Sequence, residues 1–526
     1  MTPVLLIPLV LLLFLLALIL FRTALFSRTG PTVDPAPEMD VDPELVAGHL
    51  GRAIHCQTIS NEEADPIVSG SYARVQAFVG LHRTLQDMYP RAHRSLNVEQ
   101  VNNFSLLYTW QGADPALEPA LLLAHLDVAP VEPGSESDWT YPPFAGQVAD
   151  GFVWGRGAID CKNGVVGILE AVEWLLRNGY KPRRTVMIAF GHDEELDGLL
   201  GAKKIAQVLE KRGLTFQSIL DEGSFLLKSM VPGVERPVGL VGAAEKGYLN
   251  LELSVNQEGG HSSMPSSQTA IGILGRAIAN LEIHPAPAHL DPAITLFRYL
   301  GEELSLGMRL IFANAWLFGG LIKRSLSATP ETNALIRTTT AVTIIKGGSK
   351  DNVLPRQAKA VVNCRILPGE NVESTIHHVR SAISDPRVKI GPLQRETEKT
   401  PEKTNAGSKL SQSGQAVVAN APDDNAEPVN GWNPSLATPL NSSEYRLLER
   451  TIRQVFPEAI VAPYLLVATT DSRHYTALSP NIFRFMPVLI DGKELAGMHG
   501  VNERISLENC ARMVRFYIQW IRNSSG

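Results

Sequence analysis

The sequence has no excess of positive charge. Its 526 residues contain 48 lysines and arginines against 54 aspartates and glutamates. Proteins that bind the phosphate backbone of nucleic acids need a basic surplus, so nucleic acid is not expected as a partner. The length exceeds what one hydrophobic core usually serves, which predicts two domains with additional segments.

Cysteines are also scarce. The four that occur are far apart and include no CxxC pair: Cys56, Cys161, Cys364 and Cys510. This spacing excludes a cysteine-rich zinc site and does not indicate a redox compartment.

The N-terminus lacks two features of most signal peptides. No lysine or arginine precedes the apolar run of residues 3–21, and no A-x-A cleavage pattern follows it. The run is just long enough to cross a bilayer. Residues 1–28 are therefore predicted to be an uncleaved membrane anchor, with a cleaved signal peptide as the alternative. Either one places the chain in the secretory pathway, secreted or anchored, which three N-x-S sequons also fit, at Asn103, Asn441 and Asn523.

Two segments show almost no apolar periodicity. Residues 29–45 are rich in proline and aspartate and are predicted to be a linker. Residues 394–436 are rich in polar residues, glycine and proline, which predicts a surface loop or disordered insertion.

The remaining chain falls into two patterns. In residues 46–247, short apolar runs such as ALLLAHLDV and TVMIAF alternate with helix-like stretches such as VVGILEAVEWLLRNG. This order predicts an α/β catalytic domain, a mostly parallel sheet with helices on both faces, to which residues 437–522 return. Residues 248–393 instead predict antiparallel strands with two helices on one face, an inserted smaller α+β domain of the ferredoxin-like type.

The smaller domain contains an apolar addition, residues 293–327, which is too broken by charge to span a membrane. Two core-packed helices are the favoured interpretation. The alternative is an apolar wall over the active site or a membrane-contacting face, suited to a lipophilic substrate.

Polar clusters follow the strand-like runs, where open α/β sheets bind ligands. His125 and Asp127 in LLLAHLDV lie two residues apart, so they share a strand face and the carboxylate can orient the imidazole. Asp160 in GRGAIDCKNG either caps a helix or bridges two metal ions.

Three more clusters complete the set. AFGHDEELDG contributes Glu194 and Glu195 beside Asp193, for which a plain turn role is expected, and GMHGVNE contributes His499. ILDEGS contributes Asp221 and Glu222. Singly, each is better explained as an ordinary surface or turn residue. Together, two histidines and several carboxylates suit zinc and also accept cobalt or manganese. A two-metal hydrolase is the resulting prediction.

The order H-x-D, G-R-G-x-x-D-x-K, D-E-E, D-E-G, G-G-H-S and H-G-x-N-E resembles the dinuclear zinc aminoacylase/carboxypeptidase family, in particular the group of carboxypeptidase S and the N-fatty-acyl-amino-acid synthase/hydrolases. The resemblance covers about residues 45–522 apart from the 394–436 insertion. It implies two zinc ions per chain, bridged by Asp160. His125 and Glu222, with Asp221 as the alternative, would hold one ion, and Glu195 and His499 the other.

The resemblance also implies roles outside the metal ligands. Asp127 would orient His125, and Glu194 would carry the proton of the attacking water. His261 in GGHSSMP matches a lid histidine that polarises the scissile carbonyl, in some relatives from the partner subunit of a homodimer. Asn352 and Arg365 match positions that bind the carbonyl and carboxylate of the substrate.

The predicted activity is reversible cleavage of the amide bond in N-acyl amino acids. The secretory N-terminus and residues 293–327 favour a fatty acyl group. The alternative is a carboxypeptidase or dipeptidase acting on short peptides. A catalytically inactive binding scaffold is less favoured, because every ligand position is filled.

Overall fold

The computed structural model describes residues 3–28, 30–60, 72–231, 233–393 and 431–526. They divide into two compact units. Unit 1 comprises Met1–Ala244, Ile294–Phe318 and Leu436–Gly526, and unit 2 comprises Glu245–Ala293 and Gly319–Ser435.

The strands are β1 Asn97–Val101, β2 Ser105–Trp110, β3 Ala120–His125, β4 Gln147–Ala149, β5 Phe152–Trp154, β6 Val186–Gly191, β7 Ser218–Asp221, β8 Leu226–Leu227, β9 Val238–Glu245, β10 Gly247–Asn256, β11 Gly260–His261, β12 Thr339–Gly347, β13 Val353–Leu354, β14 Gln357–Ile366, β15 Lys389–Pro392, β16 Gly431–Trp432, β17 Ile460–Leu466, β18 Ile482–Arg484, β19 Leu489–Ile490 and β20 Arg504–Ser506.

The helices are α1 Pro3–Ala24, α2 Pro43–Ile54, α3 Tyr72–Met88, α4 Pro90–Ser95, α5 Lys162–Arg177, α6 Ala202–Lys211, α7 Ala270–Ile283, α8 Asp291–Tyr299, α9 Leu306–Ala313, α10 Ala315–Leu326, α11 Pro330–Ile336, α12 Val372–Ile383, α13 Ser443–Val455, α14 Gly492–Gly497 and α15 Leu507–Ser525. Short 3₁₀ helices cover Glu136–Asp138, Glu194–Leu196 and Asp471–Tyr475.

Unit 1 is built on a ten-stranded sheet in the order β1-β2-β6-β3-β7-β18-β9-β8-β19, with β17 paired to β9. The central strands β6, β3, β7 and β18 are parallel, and antiparallel pairs flank them. This confirms the predicted mostly parallel α/β sheet.

Strand alternation explains why helices cover both faces of that sheet. On β3, Leu122 and Ala124 join one buried cluster, to which α5 and α15 contribute, whereas Leu121 and Leu123 join a second cluster that includes residues of α6. Side chains of successive strand residues point to opposite faces, so a strand that is apolar throughout must be buried on both. The predicted helices on both faces are confirmed.

Unit 2 contains a five-stranded antiparallel sheet in the order β12-β14-β10-β15, with β16 paired to β10. Along β10 buried and half-buried residues alternate, as expected of a sheet covered on one face. Helices α7 and α12 supply the buried residues that pack on it. The inserted α+β domain is confirmed as a fold class.

Three boundaries differ from the expectation. Residues 294–318, part of the 293–327 addition assigned to the smaller domain, group with unit 1. They belong to three helices, α8 to α10, rather than to a pair. In the expected linker, Met39 and Val41 are buried and α2 already begins at Pro43. The expected 394–436 insertion lies mostly outside the described residues, but its end contains β16.

The N-terminal helix α1 contains a stretch, Ile7–Ala24, that is long and apolar enough to cross a membrane by length and composition. This is consistent with the predicted anchor or signal segment. Of the sequon asparagines, Asn103 and Asn441 are exposed, whereas the Asn523 amide donates to Thr451 Oγ1 at 2.8 Å and Gln454 Oε1 at 2.7 Å.

Candidate metal centre

The carboxyl ends of three parallel strands of unit 1 carry the candidate residues. His125 is the last residue of β3 and pairs in register with Gly191, the last residue of β6. The 3₁₀ helix Glu194–Leu196 follows β6, and Glu222 directly follows β7. Because carboxyl ends of parallel strands meet at one sheet edge, residues distant in sequence lie close together there.

Asp160 lies between two histidines. Its Oδ1 is 2.9 Å from His125 Nε2, and its Oδ2 is 2.9 Å from His499 Nε2. Helix α5 begins at Lys162, and the residue before it has no side-chain cap bond, so Asp160 is not a helix cap. A carboxylate with one oxygen toward each of two imidazoles has the geometry of a group that can bridge two cations.

Two glutamates extend this arrangement. Glu222 Oε1 is 3.3 Å from His125 Nε2, and Glu195 Oε2 is 3.4 Å from His499 Nε2. One donor atom each of His125, Asp160 and Glu195 lie within 4.8 Å of one another, close enough to share a metal ion.

The chemistry of these donor residues suits a bound cation. Glu195 Oε1 is buried and has no hydrogen-bond partner within the described ranges. A buried, unpaired carboxylate oxygen is costly, and a cation would satisfy it. The hydrogen bonds to Asp160 and Glu195 raise the pKa of His499 to about 10, so the surrounding acids favour a positive charge at this position. The residues present therefore fit a metal centre of nitrogen and oxygen ligands.

Asp127 fixes the orientation of the His125 ring through its Nδ1 atom. Its backbone carbonyl accepts a hydrogen bond from His125 Nδ1 at 3.0 Å, and its Oδ1 lies 3.3 Å from the same nitrogen. Ser60 Oγ donates to Asp127 Oδ2 at 2.7 Å, and the Glu195 amide donates to the same oxygen at 3.1 Å. Burial alone would raise the pKa of Asp127, but the bonds from His125 and Ser60 lower it, which keeps the carboxylate charged. The fixed imidazole turns Nε2 toward Asp160.

Asp221 and Glu222, which the sequence left as alternatives, occupy different positions. Both oxygens of Asp221 accept backbone N–H groups, from Ser472 at 2.8 Å and from Glu222 at 2.9 Å. The Glu222 carboxylate instead faces His125, and burial raises its pKa to about 7. This geometry favours Glu222 as the ligand.

Glu194 and Cys161 lie beside the cluster. Burial raises the pKa of Glu194 well above its ordinary value, which suits a group that takes up a proton. Burial likewise raises the pKa of the Cys161 thiol, and the side chain is fully covered. Although Cys161 Sγ is near His125 and Glu222, a protonated, buried thiol is a poor ligand.

Glu503 is a functional residue that sequence reasoning missed. It is fully buried, and its Oε1 accepts the backbone N–H groups of Gly157 at 3.0 Å, Ile159 at 2.8 Å and Asp160 at 3.1 Å. Its Oε2 accepts a hydrogen bond from Arg156 at 2.7 Å. Glu503 therefore fixes the loop that carries Asp160. The available signal was its place in GMHGVNE, four residues after His499.

Two further acids had no assigned role. Asp193 accepts the backbone N–H groups of Leu200 and Gly201, both at 2.7 Å, just before α6. It therefore anchors the turn, which deepens the expected turn role. Asp471 is buried, and its carboxylate oxygens lie so close to Gly191 and Gly198 that neither position has room for a Cβ. No motif in the sequence pointed to Asp471.

The substrate residues expected from the smaller domain lie in unit 2. His261 is on β11, which pairs with β13, and the Ser262 amide donates to the Asn352 carbonyl at 3.1 Å. The structure thus brings His261 and Asn352 together, both exposed. Arg365 is on β14, with its guanidinium 4.7 Å from the centre of the Tyr248 ring.

The chain is similar to known peptidases over most of its length. The profile of peptidase family M20/M25/M40 matches residues 121–523. The chain is 38% identical to a probable carboxypeptidase S-like 2 of Dictyostelium discoideum over 98% of this chain and 93% of that protein. It is 39% identical to the N-fatty-acyl-amino acid synthase/hydrolase PM20D1.1 of Danio rerio over 90% and 84% of the two chains.

A solved structure shares the fold. The M20 family metallo-carboxypeptidase Sso-CP2 from Sulfolobus solfataricus superposes with a TM-score of 0.59 at 15% identity, covering 93% of this chain and all of that one.

Proposed function

The chain belongs to peptidase family M20/M25/M40, and from this membership we propose that it cleaves the amide bond of N-fatty-acyl amino acids. That it is a hydrolase of amide or peptide bonds follows from the family and from relatives matched over nearly the whole chain. The observation that carries the chemistry is the Asp160 carboxylate, with one oxygen toward His125 and the other toward His499.

We propose two zinc ions as the metals. Asp160 would bind both, His125 and Glu222 would complete one site, and Glu195 and His499 the other. Bound metal would supply Lewis-acid polarisation of the amide carbonyl and would acidify a water molecule. Purified protein should contain two equivalents of zinc by plasma mass spectrometry. No metal would instead support the inactive scaffold.

Glu194 is the proposed general base and general acid. A glutamate with a raised pKa can take a proton from the attacking water and return it to the leaving nitrogen. Asp127 would position His125 throughout. The family resemblance further supports His261 as a donor to the substrate carbonyl, with Asn352 and Arg365 binding substrate oxygens.

The relatives named N-fatty-acyl-amino acid synthase/hydrolase support a fatty acyl group on the substrate. A carboxypeptidase or dipeptidase is the second candidate, supported by the similarly close relative named as carboxypeptidase S-like. Both candidates use the same metal chemistry and differ in the group on the nitrogen side of a terminal amino acid.

Three substrates with a common phenylalanine distinguish the candidates. N-oleoyl-phenylalanine, N-acetyl-phenylalanine and a blocked dipeptide ending in phenylalanine differ only in the acyl side. We expect the largest kcat/KM for N-oleoyl-phenylalanine, with the Glu194→Gln variant as the background control. A clear preference for the dipeptide would replace the proposal with the peptidase. Incubation of oleate with phenylalanine tests the reverse condensation.

We also propose unit 1 as the catalytic domain and unit 2 as the lid and dimerisation domain of a homodimer in the secretory pathway, secreted or anchored. Mixing Glu194→Gln with His261→Ala tests the dimer. If His261 acts across the dimer, two inactive variants should form mixed dimers with restored activity. A monomer mass without restored activity would contradict the dimer.

A further inference from the structure

Helix α1 is attached to unit 1 along one narrow stripe. Leu15 and Ile19 are half-buried and Thr23 is 3% exposed, and their spacing of four residues places them on one helix face. The other apolar side chains between positions 7 and 21 are largely exposed, for example Phe14 at 69% and Leu11 at 62%. Only this stripe in the C-terminal half of α1 is therefore covered by the protein.

Polar contacts fix this stripe at the junction between α9 and α10. Asn314, the fully buried residue between the two helices, donates to Ile19 O and Thr23 Oγ1, both at 3.3 Å. Arg22 Nε donates to Ala313 O at 3.2 Å, and a cation is favourable at the C-terminal end of a helix such as α9. These directional bonds make α1 part of the folded unit.

The same junction carries exposed apolar side chains. Trp316 is 55% exposed and Leu317 is 48% exposed, two and three residues after Asn314. At 1.5 Å per residue, α10 places them about 3 to 5 Å along its axis from the residue that binds α1. Leu306, at the other end of α9, is 71% exposed.

The position along α1 at which the α9–α10 junction binds indicates what covers the exposed Trp316 and Leu317. Ile19 and Thr23 lie where the apolar run ends and Arg22 begins the polar sequence. In a membrane this is the boundary between hydrocarbon and headgroups, where tryptophan is enriched. Exposed apolar side chains near an exposed apolar helix are also costly in water.

We propose that Trp316 and Leu317 at the start of α10, together with Leu306 of α9, dock on a lipid bilayer beside α1, so that the helix and these side chains form one membrane-contact surface. This surface is independent of the proposed substrate. It favours a retained α1, because removal of the helix would uncover Asn314 and the α9 carbonyl end.

Fluorescence quenching by brominated lipid tests the surface. The full chain is reconstituted in phosphatidylcholine vesicles, with or without bromine at carbons 6 and 7 of the acyl chain. Trp316 is the reporter, because the other six tryptophans are buried or half-buried. We expect brominated lipid to lower the emission of the wild type, and Trp316→Phe to remove at least half of that decrease.

A matched variant is Trp174→Phe, which removes a half-buried tryptophan of α5 and should leave the decrease in place. An equal decrease in the Trp316→Phe variant and the wild type would overturn the proposal. So would the absence of quenching together with a dimer mass, which would mean that a second copy covers the face.

The attachment of α1 is tested with Asn314→Leu. The variant keeps the apolar anchor but loses the bonds to Ile19 and Thr23, so we expect Trp316 quenching to fall while the chain stays in the vesicle fraction. Unchanged far-ultraviolet circular dichroism confirms the fold. Quenching equal to the wild type in a folded variant would show that α1 and the junction do not act as one surface.

Discussion

Seven acids near the candidate metal centre form two groups, which lie close together but contact different partners. The proposed ligand acids face histidine nitrogens, and within the described part of the chain their carboxylates accept no backbone N–H group: Asp160, Glu195 and Glu222. The backbone-bound acids each accept at least two backbone N–H groups: Asp127, Asp193, Asp221 and Glu503.

The difference separates two uses of negative charge. Backbone N–H groups offset part of the cost of burying the acids of the second group, and these carboxylates in turn fix the loops on which the first group sits. The ligand acids lack this compensation, so their charge stays available to a cation. Residues close in sequence take opposite roles, as Asp193 and Glu195 do after β6, and as Asp221 and Glu222 do at the end of β7.

Glu194 belongs to neither group, and its replacement should have the largest effect. Glu194→Gln keeps the shape but cannot take up a proton, so kcat should fall about 10²- to 10⁴-fold. Because Glu194 is not a ligand, zinc content by plasma mass spectrometry should equal that of the wild type. Full activity at equal zinc content would contradict the assignment.

The division between ligand and backbone-bound acids predicts different metal contents for neighbouring residues. Glu222→Ala should lose one of two zinc equivalents, and Glu195→Ala should do the same at the other site. Asp221→Asn should retain both, because its oxygens contact backbone amides. A retained zinc pair in Glu222→Ala with loss in Asp221→Asn would reverse the assignment.

A variant of Glu503 tests whether the backbone-bound acids stabilise the fold. Glu503→Gln leaves Arg156 buried without its anionic partner, which should lower the free energy of unfolding by about 3 to 5 kcal/mol. Glu508→Gln is the control, since that side chain is 63% exposed and should change stability by less than about 0.5 kcal/mol. Urea denaturation measures both, and equal small changes would refute the role of Glu503.

The pH dependence of Asp193 tests the backbone-bound group by titration. Burial raises its pKa from 3.8 to about 7, so between these values the folded state holds a proton that the unfolded state has released. This contribution to stability is complete below pH 3.8 and is lost as the pH rises through about 7. Relative to Asp193→Asn, the wild type should therefore lose stability over that interval.

Thermal unfolding at several pH values measures this difference. A wild type that instead gains stability with rising pH would show that the two N–H groups from Leu200 and Gly201 outweigh burial.

The fold and most of the chemistry could be predicted from sequence, because they depend on local signals. Apolar runs such as ALLLAH became buried strands, and the alternation in YLNLELSV became β10 with one covered face. Motif order also indicated the family. The sequence could not separate Asp221 from Glu222, because the choice depends on a hydrogen bond from Ser472, 251 residues away.

Long-range contacts explain the other omissions as well. Glu503 acts on Gly157, Ile159 and Asp160 through a contact that spans more than 340 residues. The position of residues 294–318 in unit 1 similarly depends on contacts with α1, which no local pattern records.

The bond between Arg22 and Ala313 also has a consequence for biosynthesis. The two residues are 291 positions apart in the chain. At a translation rate of about 5 to 20 residues per second, α1 leaves the ribosome about 15 to 60 seconds before its partner helix exists. During that interval its apolar surface must be shielded by lipid or by a chaperone, so α1 needs a partner other than α9 before the fold is complete.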